Sequence, residues 1–311
     1  MESSVTTLKA GPRIPAWIRT QLPTARRFSQ TGRLVSGLRL HTVCESARCP
    51  NKTECWSRGT ATFMIAGDRC TRACGFCSVT TSKPLPLDPD EPGRVADACR
   101  RMDLKHVVVT SVARDDLADG GAGHFAKIIR AARAACGEGL IVEVLTPDFG
   151  GRREALDTVL EARPDVFNHN IETVRRLTPA VRHRATYERT LDVLRTAREL
   201  ALRFASSERT IFIKSGFMVG HGETEAEVLE TMRDLRDAGC ELLTIGQYLQ
   251  PKRTSLPVIE FVRPELFVQY RRAGLAMGYV HVASAPLVRS SYHADDFRPD
   301  ALAAGSNEAS K

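Results

Sequence analysis

The chain has 311 residues, of which 42% are hydrophobic and 26% charged. That length suits one large domain or two small ones, and the composition is too apolar for a disordered chain. No run approaches the roughly 18 apolar residues of a membrane-spanning helix, which excludes an integral helical membrane protein. Lys and Arg number 44 against 37 Asp and Glu, a net +7, which permits an acidic partner without demanding one.

Nine cysteines are more informative. Six lie between Cys44 and Cys77, and Cys99, Cys136 and Cys240 are scattered beyond. A secreted disulfide scaffold is short and evenly stapled, so this clustered, odd-numbered set points to a reducing compartment and a metal role. The first thirty residues hold no apolar core of a secretory signal. Arg13, Arg19, Arg26, Arg27 and Arg33, with Glu2 as the one acid among them, leave a mitochondrial transit segment open. Pro12, Pro15 and Pro23 interrupt a long amphipathic helix there, and a cytoplasmic protein is expected.

In chain order, residues 1–59 show Pro, Arg and three cysteines with little helix or strand pattern. They are expected to form an N-terminal extension packed on the main domain. From residue 60 the chain alternates. Short β-branched runs recur at 62–65, 106–110, 140–145, 166–170, 211–219, 242–249 and 279–283. Between them stand helical stripes: Val95, Cys99 and Met102; Leu191, Leu194, Ala197 and Ala201; and Val228, Met232 and Leu235. The last is opened by Thr224 and Glu227 in capping-box spacing. Repeated strand–helix alternation means parallel strands with right-handed crossovers. The spacing predicts a full or partial TIM-like barrel over 60–283, with a doubly wound open sheet as the alternative. Residues 284–311 form a C-terminal extension expected to fray after about residue 300.

The cysteines fall in two triplets, Cys44-x4-Cys49-x5-Cys55 and Cys70-x3-Cys74-x2-Cys77. The second follows the first strand and so sits at the C-terminal mouth of a barrel, where barrel enzymes place their chemistry. An iron–sulfur cubane is normally held by four thiolates, so three in one tight loop leave an iron open, as a catalytic site requires. Gly75 relieves crowding beside Cys74. Structural zinc is the bland alternative, but neither triplet shows the paired C-x2-C or H-x3-H form, although His41 could complete the first. Cys99, Cys136 and Cys240 read as small buried hydrophobes. GHGE at 220–223 lacks the third glycine of a phosphate loop, and capping by Thr224 accounts for it.

C-x3-C-x2-C with Phe76 before its last cysteine resembles the radical S-adenosylmethionine superfamily signature. Joined to the upstream triplet it resembles the lipoyl synthase family. The likeness extends through LHTVCESARCPNKTECW (40–56), GTATFMI (59–65), VARDDLADGGAGHF (112–125), VFNHNIETV (166–174), KSGFMVGHGE (214–223), YLQP (248–251) and VRSSYHAD (288–295), covering roughly residues 12 to 296. It implies a partial (β/α)6 barrel of the radical S-adenosylmethionine type. It further implies that Cys70, Cys74 and Cys77 hold the 4Fe–4S cluster that binds S-adenosylmethionine. Cys44, Cys49 and Cys55 would hold an auxiliary 4Fe–4S cluster whose fourth ligand is Ser290 or Ser291, taken as Ser291. A hard alkoxide on a soft cluster should be released more readily than a thiolate.

The implied reaction is a sulfur transfer in lipoate biosynthesis. Two sulfurs enter C6 and C8 of an octanoyl chain on a lysine of a lipoyl carrier protein, and the auxiliary cluster is the donor. Since no side chain can deprotonate such a methylene, a radical from S-adenosylmethionine is required, one cofactor molecule per carbon. Gly120, Gly121, Asn168, Asn170, Glu172 and Lys214 are the candidates for cofactor contacts. Expected partners are octanoylated carrier domains (the E2 subunits of 2-oxoacid dehydrogenases and the glycine cleavage H protein), a flavodoxin or ferredoxin as electron donor, and an iron–sulfur carrier. No nucleic-acid or membrane partner is expected. Three departures from the family pattern stand out. Thr254 and Ser255 replace histidines, His221 replaces an apolar residue, and Arg182-His183-Arg184 replaces a frequent Arg-Pro. The competing readings are a radical methylthiotransferase acting on tRNA and a zinc-stabilised nucleic-acid adaptor. The first would carry an RNA-binding domain for which residues 296–311 are too short. The second would show basic stripes, whereas Asp115, Asp116, Asp119, Glu223, Glu225 and Glu227 are interspersed.

Overall fold

The computed structural model of the chain describes residues 13–18, 25–206, 209–292 and 294. The expected fraying beyond about residue 300, and the stretch carrying Arg19, lie outside them. Helix α1 (Ala25–Gly37) leads to strand β1 (His41–Thr42), helix α2 (Val43–Ser46) and helix α3 (Lys52–Arg58). Strands β2 (Thr62–Ile65), β3 (Arg69–Cys70) and β4 (Thr80–Thr81) follow. Then come α4 (Glu91–Arg101), β5 (His106–Ser111), α5 (Ala122–Cys136), β6 (Ile141–Leu145), α6 (Arg153–Glu161) and β7 (Val166–Asn168). The remainder is α7 (Thr178–Val181), α8 (Tyr187–Phe204), β8 (Phe212–Val219), α9 (Glu225–Asp237), β9 (Leu242–Gln247), α10 (Pro264–Ala276) and β10 (His281–Ser284).

The main sheet runs β1-β2-β5-β6-β7-β8-β9-β10, parallel throughout except for the β1–β2 pair. Spatial order equals chain order. Right-handed crossovers that always step the same way put their helices on one face, so the sheet curls instead of splitting into two helical layers. This excludes the doubly wound alternative. Among the described residues its edges, β1 and β10, do not pair, so the barrel is partial. It holds one parallel strand more than the six anticipated, because β10 continues the alternation. All seven strand runs read from the sequence fall on these parallel strands.

Strand alternation divides the interior into two regions. Phe63, Ile65, Val107, Val109, Val142, Val144, Phe167, Ile213, Leu243 and Ile245 point out into the main core, packed under the helices. The stripes Leu191, Leu194, Ala197 and Ala201 and Val228, Met232 and Leu235 are buried there too, and Thr224 with Glu227 completes the capping box. Val166, Phe212 and Leu242 open β7, β8 and β9 and form a separate small cluster, a plug at the N-terminal end of the barrel. Above it Lys214 Nζ lies 2.8 and 3.0 Å from the Glu143 carboxylate, which also accepts from Asn168 at 3.0 Å.

Residues 25–58 correct the expectation of little regular structure. Helix α1 escapes pattern reading because Ser, Thr, Gly and Arg occupy most of it, yet Thr31 and Gly32 share its packing face with Phe28 and Val35. Thr31 Oγ1 donates to the Trp56 carbonyl at 3.0 Å, and a Cβ on Gly32 would stand 3.0 Å from the Trp56 ring. Helices α2 and α3 are too short to show periodicity. Thr42 caps α2 through the Glu45 amide, and Gly59, at φ 79°, closes α3.

Candidate active site

The second triplet occupies the loop leaving β2. Ala66 and Gly67 turn the chain at φ 63° and 91°. Glu91 accepts from the Ala66 amide at 2.9 Å and Arg114 donates to its carbonyl at 3.0 Å, so this left-handed residue is held from both sides. Strands β3 and β4 pair to close the loop. Inside it, Arg72 donates to Asp115 at 2.6 and 2.8 Å and to Asp148 at 2.7 Å. The Arg72 and Val79 amides approach Sγ of Cys70 and Cys77 at 3.4 Å. Gly75 packs where nothing larger fits, since its Cβ would lie 2.9 Å from the Ala180 carbonyl and 3.0 Å from Leu256. Its amide and carbonyl bind Val181 and Leu256 at 2.9 Å.

The first triplet is carried by α2, α3 and the turn between them. Cys44 is buried with Trp56 and Ala61, while Cys49 and Cys55 are half-buried. Ser78 Oγ, one residue beyond Cys77, donates to the Ser46 carbonyl at 2.9 Å, joining the two triplet segments.

Both triplets open into one cavity of about 540 Å³, lined by all six cysteines together with Asn170, Glu172, Ser290 and Ser291. The serines reach it because Gly246 on β9 leaves room for their segment: a Cβ there would meet the Val288 carbonyl at 2.1 Å. The segment 286–292 therefore crosses the open seam of the barrel as a strap. Pro286 accepts from the Gln247 amide on β9 at 3.2 Å, and Leu287 accepts from Asn51 at 2.7 Å. On the far side Thr62 donates to Ser291 Oγ at 2.7 Å and Tyr292 donates to the Glu54 carboxylate at 3.0 Å.

The thiols of each triplet lie close enough to perturb one another. Burial pushes Cys55 up to about 12, helped by Cys44 and Cys49; burial, then Cys77, Glu172 and Cys70, does the same for Cys74. Each triplet thus shares one electrostatic neighbourhood, and all six cysteines are free. Among the described residues, no three ligating side chains crowd onto one point as a single ion requires. Three thiols from each triplet line the shared cavity, the kind of donor set a four-iron cluster takes. His41, the residue that might have completed a zinc site, is exposed on β1 and lines a different hollow beside Arg39 and Arg94.

Charged residues surround the thiols, among them Asp148 and Arg289, which the sequence did not single out. Arg182 is buried, lines the cavity, and donates to the Asn170 carbonyl at 2.7 Å and to Thr190 Oγ1. Although burial opposes it, Asp148 is held well below the usual carboxylate range by Arg72. Glu172, at φ 69°, is pushed up by burial against the pull of Arg182 and the Asn170 amide. Arg289 lies against Cys49; burial lowers its pKa and the thiol opposes that shift. In sequence, Arg289 was legible only as the residue before the two serines.

Four candidates for cofactor contact do not line the cavity. Lys214 and Asn168 are engaged with Glu143 beneath it, which satisfies the charges of a layer that would otherwise be buried unpaired. Gly120 and Gly121 have φ 65° and 92° and start α5, so their backbone conformation accounts for the residue type. Asn170 and Glu172 do line it.

Known proteins resemble this chain over most of its length. Residues 64–235 match the radical SAM superfamily, and residues 2–49 match the N-terminal domain of lipoyl synthase of that family. Lipoyl synthase of Rubrobacter xylanophilus is 54% identical over 287 residues, covering 92% of this chain and 87% of the relative. That of an Anaeromyxobacter species is 56% identical over 285 residues, covering 91% and 94%. Among solved structures, methylornithine synthase aligns with a TM-score of 0.52 at 12% identity, over 82% of this chain and 78% of that one, a likeness of fold alone. The chain belongs to the lipoyl synthase family, a sulfur-inserting branch of the radical S-adenosylmethionine enzymes.

Proposed function

We propose that this chain inserts two sulfur atoms, at C6 and C8, into an octanoyl chain carried on a lysine of a lipoyl carrier protein, and takes both from its own auxiliary cluster. The observation that carries the reading is that both cysteine triplets and the serine turn share one cavity. Cys70, Cys74 and Cys77 would hold the cluster that binds S-adenosylmethionine. Cys44, Cys49, Cys55 and Ser291 would hold the 4Fe–4S cluster that is consumed as substrate. When bound, the first cluster and S-adenosylmethionine supply the one-electron chemistry that removes hydrogen from an unactivated methylene.

The remaining work falls to the chain. Arg72, tied to Asp115 and Asp148, holds the loop of the second triplet. Asn170, Glu172 and Arg182 offer a polar wall to the nucleoside cofactor. Met64, Val108, Leu145 and Met218 line the same cavity and match an alkyl chain. Such walls exclude water from a reactive carbon and hold it close to the donor sulfur. No described helix is long and apolar enough to cross a membrane, consistent with a carrier domain delivered from solution. A flavodoxin or ferredoxin would supply electrons, and an iron–sulfur carrier would rebuild the spent cluster.

An anaerobic assay with an octanoylated lysine peptide tests this. Two hydrogens replaced by two sulfurs in the product mass are expected, from protein holding about eight irons per chain. An unmodified peptide with both clusters present would refute the reading.

A further inference from the structure

Ser290 and Ser291 are the central residues of a turn closed by the Tyr292 amide on the Arg289 carbonyl at 2.9 Å. Neighbouring side chains at such positions diverge, and these two reach opposite walls. Ser291 takes the hydroxyl of Thr62 on β2, beside the first triplet. Ser290 accepts at 2.6 Å from Asn170 Nδ2, just past the end of β7. Strands β5 and β6 separate β2 from β7 in the sheet. One four-residue turn thus spans the mouth between the two halves of the site.

Asn170 depends on that contact. Its carbonyl is held by Arg182, but its side-chain Oδ1 is buried with no hydrogen-bond partner among the described residues. The amide is therefore oriented by what its nitrogen meets, Ser290 Oγ at 2.6 Å and the Glu172 carboxylate. An amide can rotate by half a turn at little steric cost, so hydrogen-bond partners decide which end faces a ligand.

We propose that the two serines divide their labour: Ser291 serves the first-triplet centre, whereas Ser290 is a positioning residue that fixes Asn170 for S-adenosylmethionine. The same turn thereby links the sulfur-donor centre to the cofactor wall. This rests on the reading above that Asn170 faces the cofactor. It adds a role for the serine that the family resemblance left unassigned.

The test uses the holoenzyme with both clusters, prepared anaerobically, and measures S-adenosylmethionine affinity by calorimetry together with iron per chain. Ser290→Ala should weaken affinity about fivefold, the worth of one hydrogen bond, and keep about eight irons. Ser290→Thr, which retains the hydroxyl, should restore affinity. Ser291→Ala should leave affinity unchanged while making the first-triplet cluster lose iron to a chelator faster. The discriminating measurement is the pair: Asn170→Ala with Ser290→Ala should bind no more weakly than Asn170→Ala alone. Unchanged affinity in Ser290→Ala, loss of half its iron, or additive effects in the pair would overturn the assignment. Affinity is measured without carrier substrate, so failure of the wild-type protein to insert sulfur would count against the function and not against this division.

Discussion

Thr62 and Ser291, 229 residues apart in the chain, share a hydrogen bond of 2.7 Å, with the threonine hydroxyl donating. A donor aimed at a serine oxygen steadies negative charge on it, so Thr62 can hold Ser291 whenever that oxygen is not bound to iron. Thr62→Val should cost about 1 kcal/mol of stability and speed iron loss from the first-triplet cluster to a chelator. Cleavage of S-adenosylmethionine should continue. Equal rates of iron loss in variant and wild type would show that the contact is incidental.

The two triplets should separate by function. Cys70→Ala is expected to abolish formation of deoxyadenosine from S-adenosylmethionine. Cys44→Ala should leave that cleavage intact while no sulfur enters the octanoyl chain. Chromatography of the nucleoside products checks both, and cleavage surviving in Cys70→Ala would overturn the assignment of the second triplet.

Gly75 is a packing constraint on the cluster loop. A methyl group there meets the Ala180 carbonyl at 2.9 Å and Leu256 at 3.0 Å, and overpacking of this kind costs ~1–3 kcal/mol. Gly75→Ala should therefore lower the melting temperature and take up less iron on reconstitution. A fully loaded variant of unchanged stability would contradict this.

Lys214 and Glu143 form a buried pair under the cavity, with side chains 8% and 2% exposed. Lys214→Met strands the carboxylate and should cost about 3–5 kcal/mol in denaturant unfolding. Adding Glu143→Leu should recover most of the loss, because the uncompensated charge is gone. S-adenosylmethionine affinity in the folded double variant should match wild type if the lysine is architectural.

Two histidines set an acid limit. Burial pulls His221 down to about 4, and burial with the Arg182 charge does the same to His169, from an ordinary 6.5. His169 accordingly donates from Nδ1 to the Thr146 carbonyl at 2.9 Å as a neutral ring. Between pH 6.5 and 4 the unfolded chain takes up protons that the folded chain refuses. The stability these rings contribute is thus complete above about pH 6.5 and is lost as pH falls toward 4, by as much as ~3 kcal/mol each. His221 also stacks on Tyr248 at 4.1 Å, with Nε2 unpartnered among the described residues. His221→Leu should remove part of this slope, visible in melting temperatures between pH 7 and 4.5. An unaltered pH profile would assign the slope elsewhere.

Much of the architecture is written locally. Seven β-branched runs alternate with stripes such as Val228, Met232 and Leu235, because period 2 and period 3.6 are imposed by the backbone of each element alone. The cysteine spacings are equally local, since three sulfurs can converge from one loop only if they are close in sequence. Helix α1 was hidden because Thr31 and Gly32 stand between Phe28 and Val35 on its packing face, and a threonine and a glycine signal a helix only once Trp56 is known to lie against them.

The sequence by itself determined a parallel strand–helix domain bearing two thiol triplets, since those features depend on neighbours along the chain. Tertiary structure alone decided that the triplets share one cavity, that Lys214 and Asn168 serve Glu143 beneath it, and that Ser290 and Ser291 face opposite walls. Those outcomes rest on contacts between residues many turns apart. Periodicity has no reach over such distances; they are set by a glycine, Gly246, that leaves room for a strap and by buried charges that must find partners.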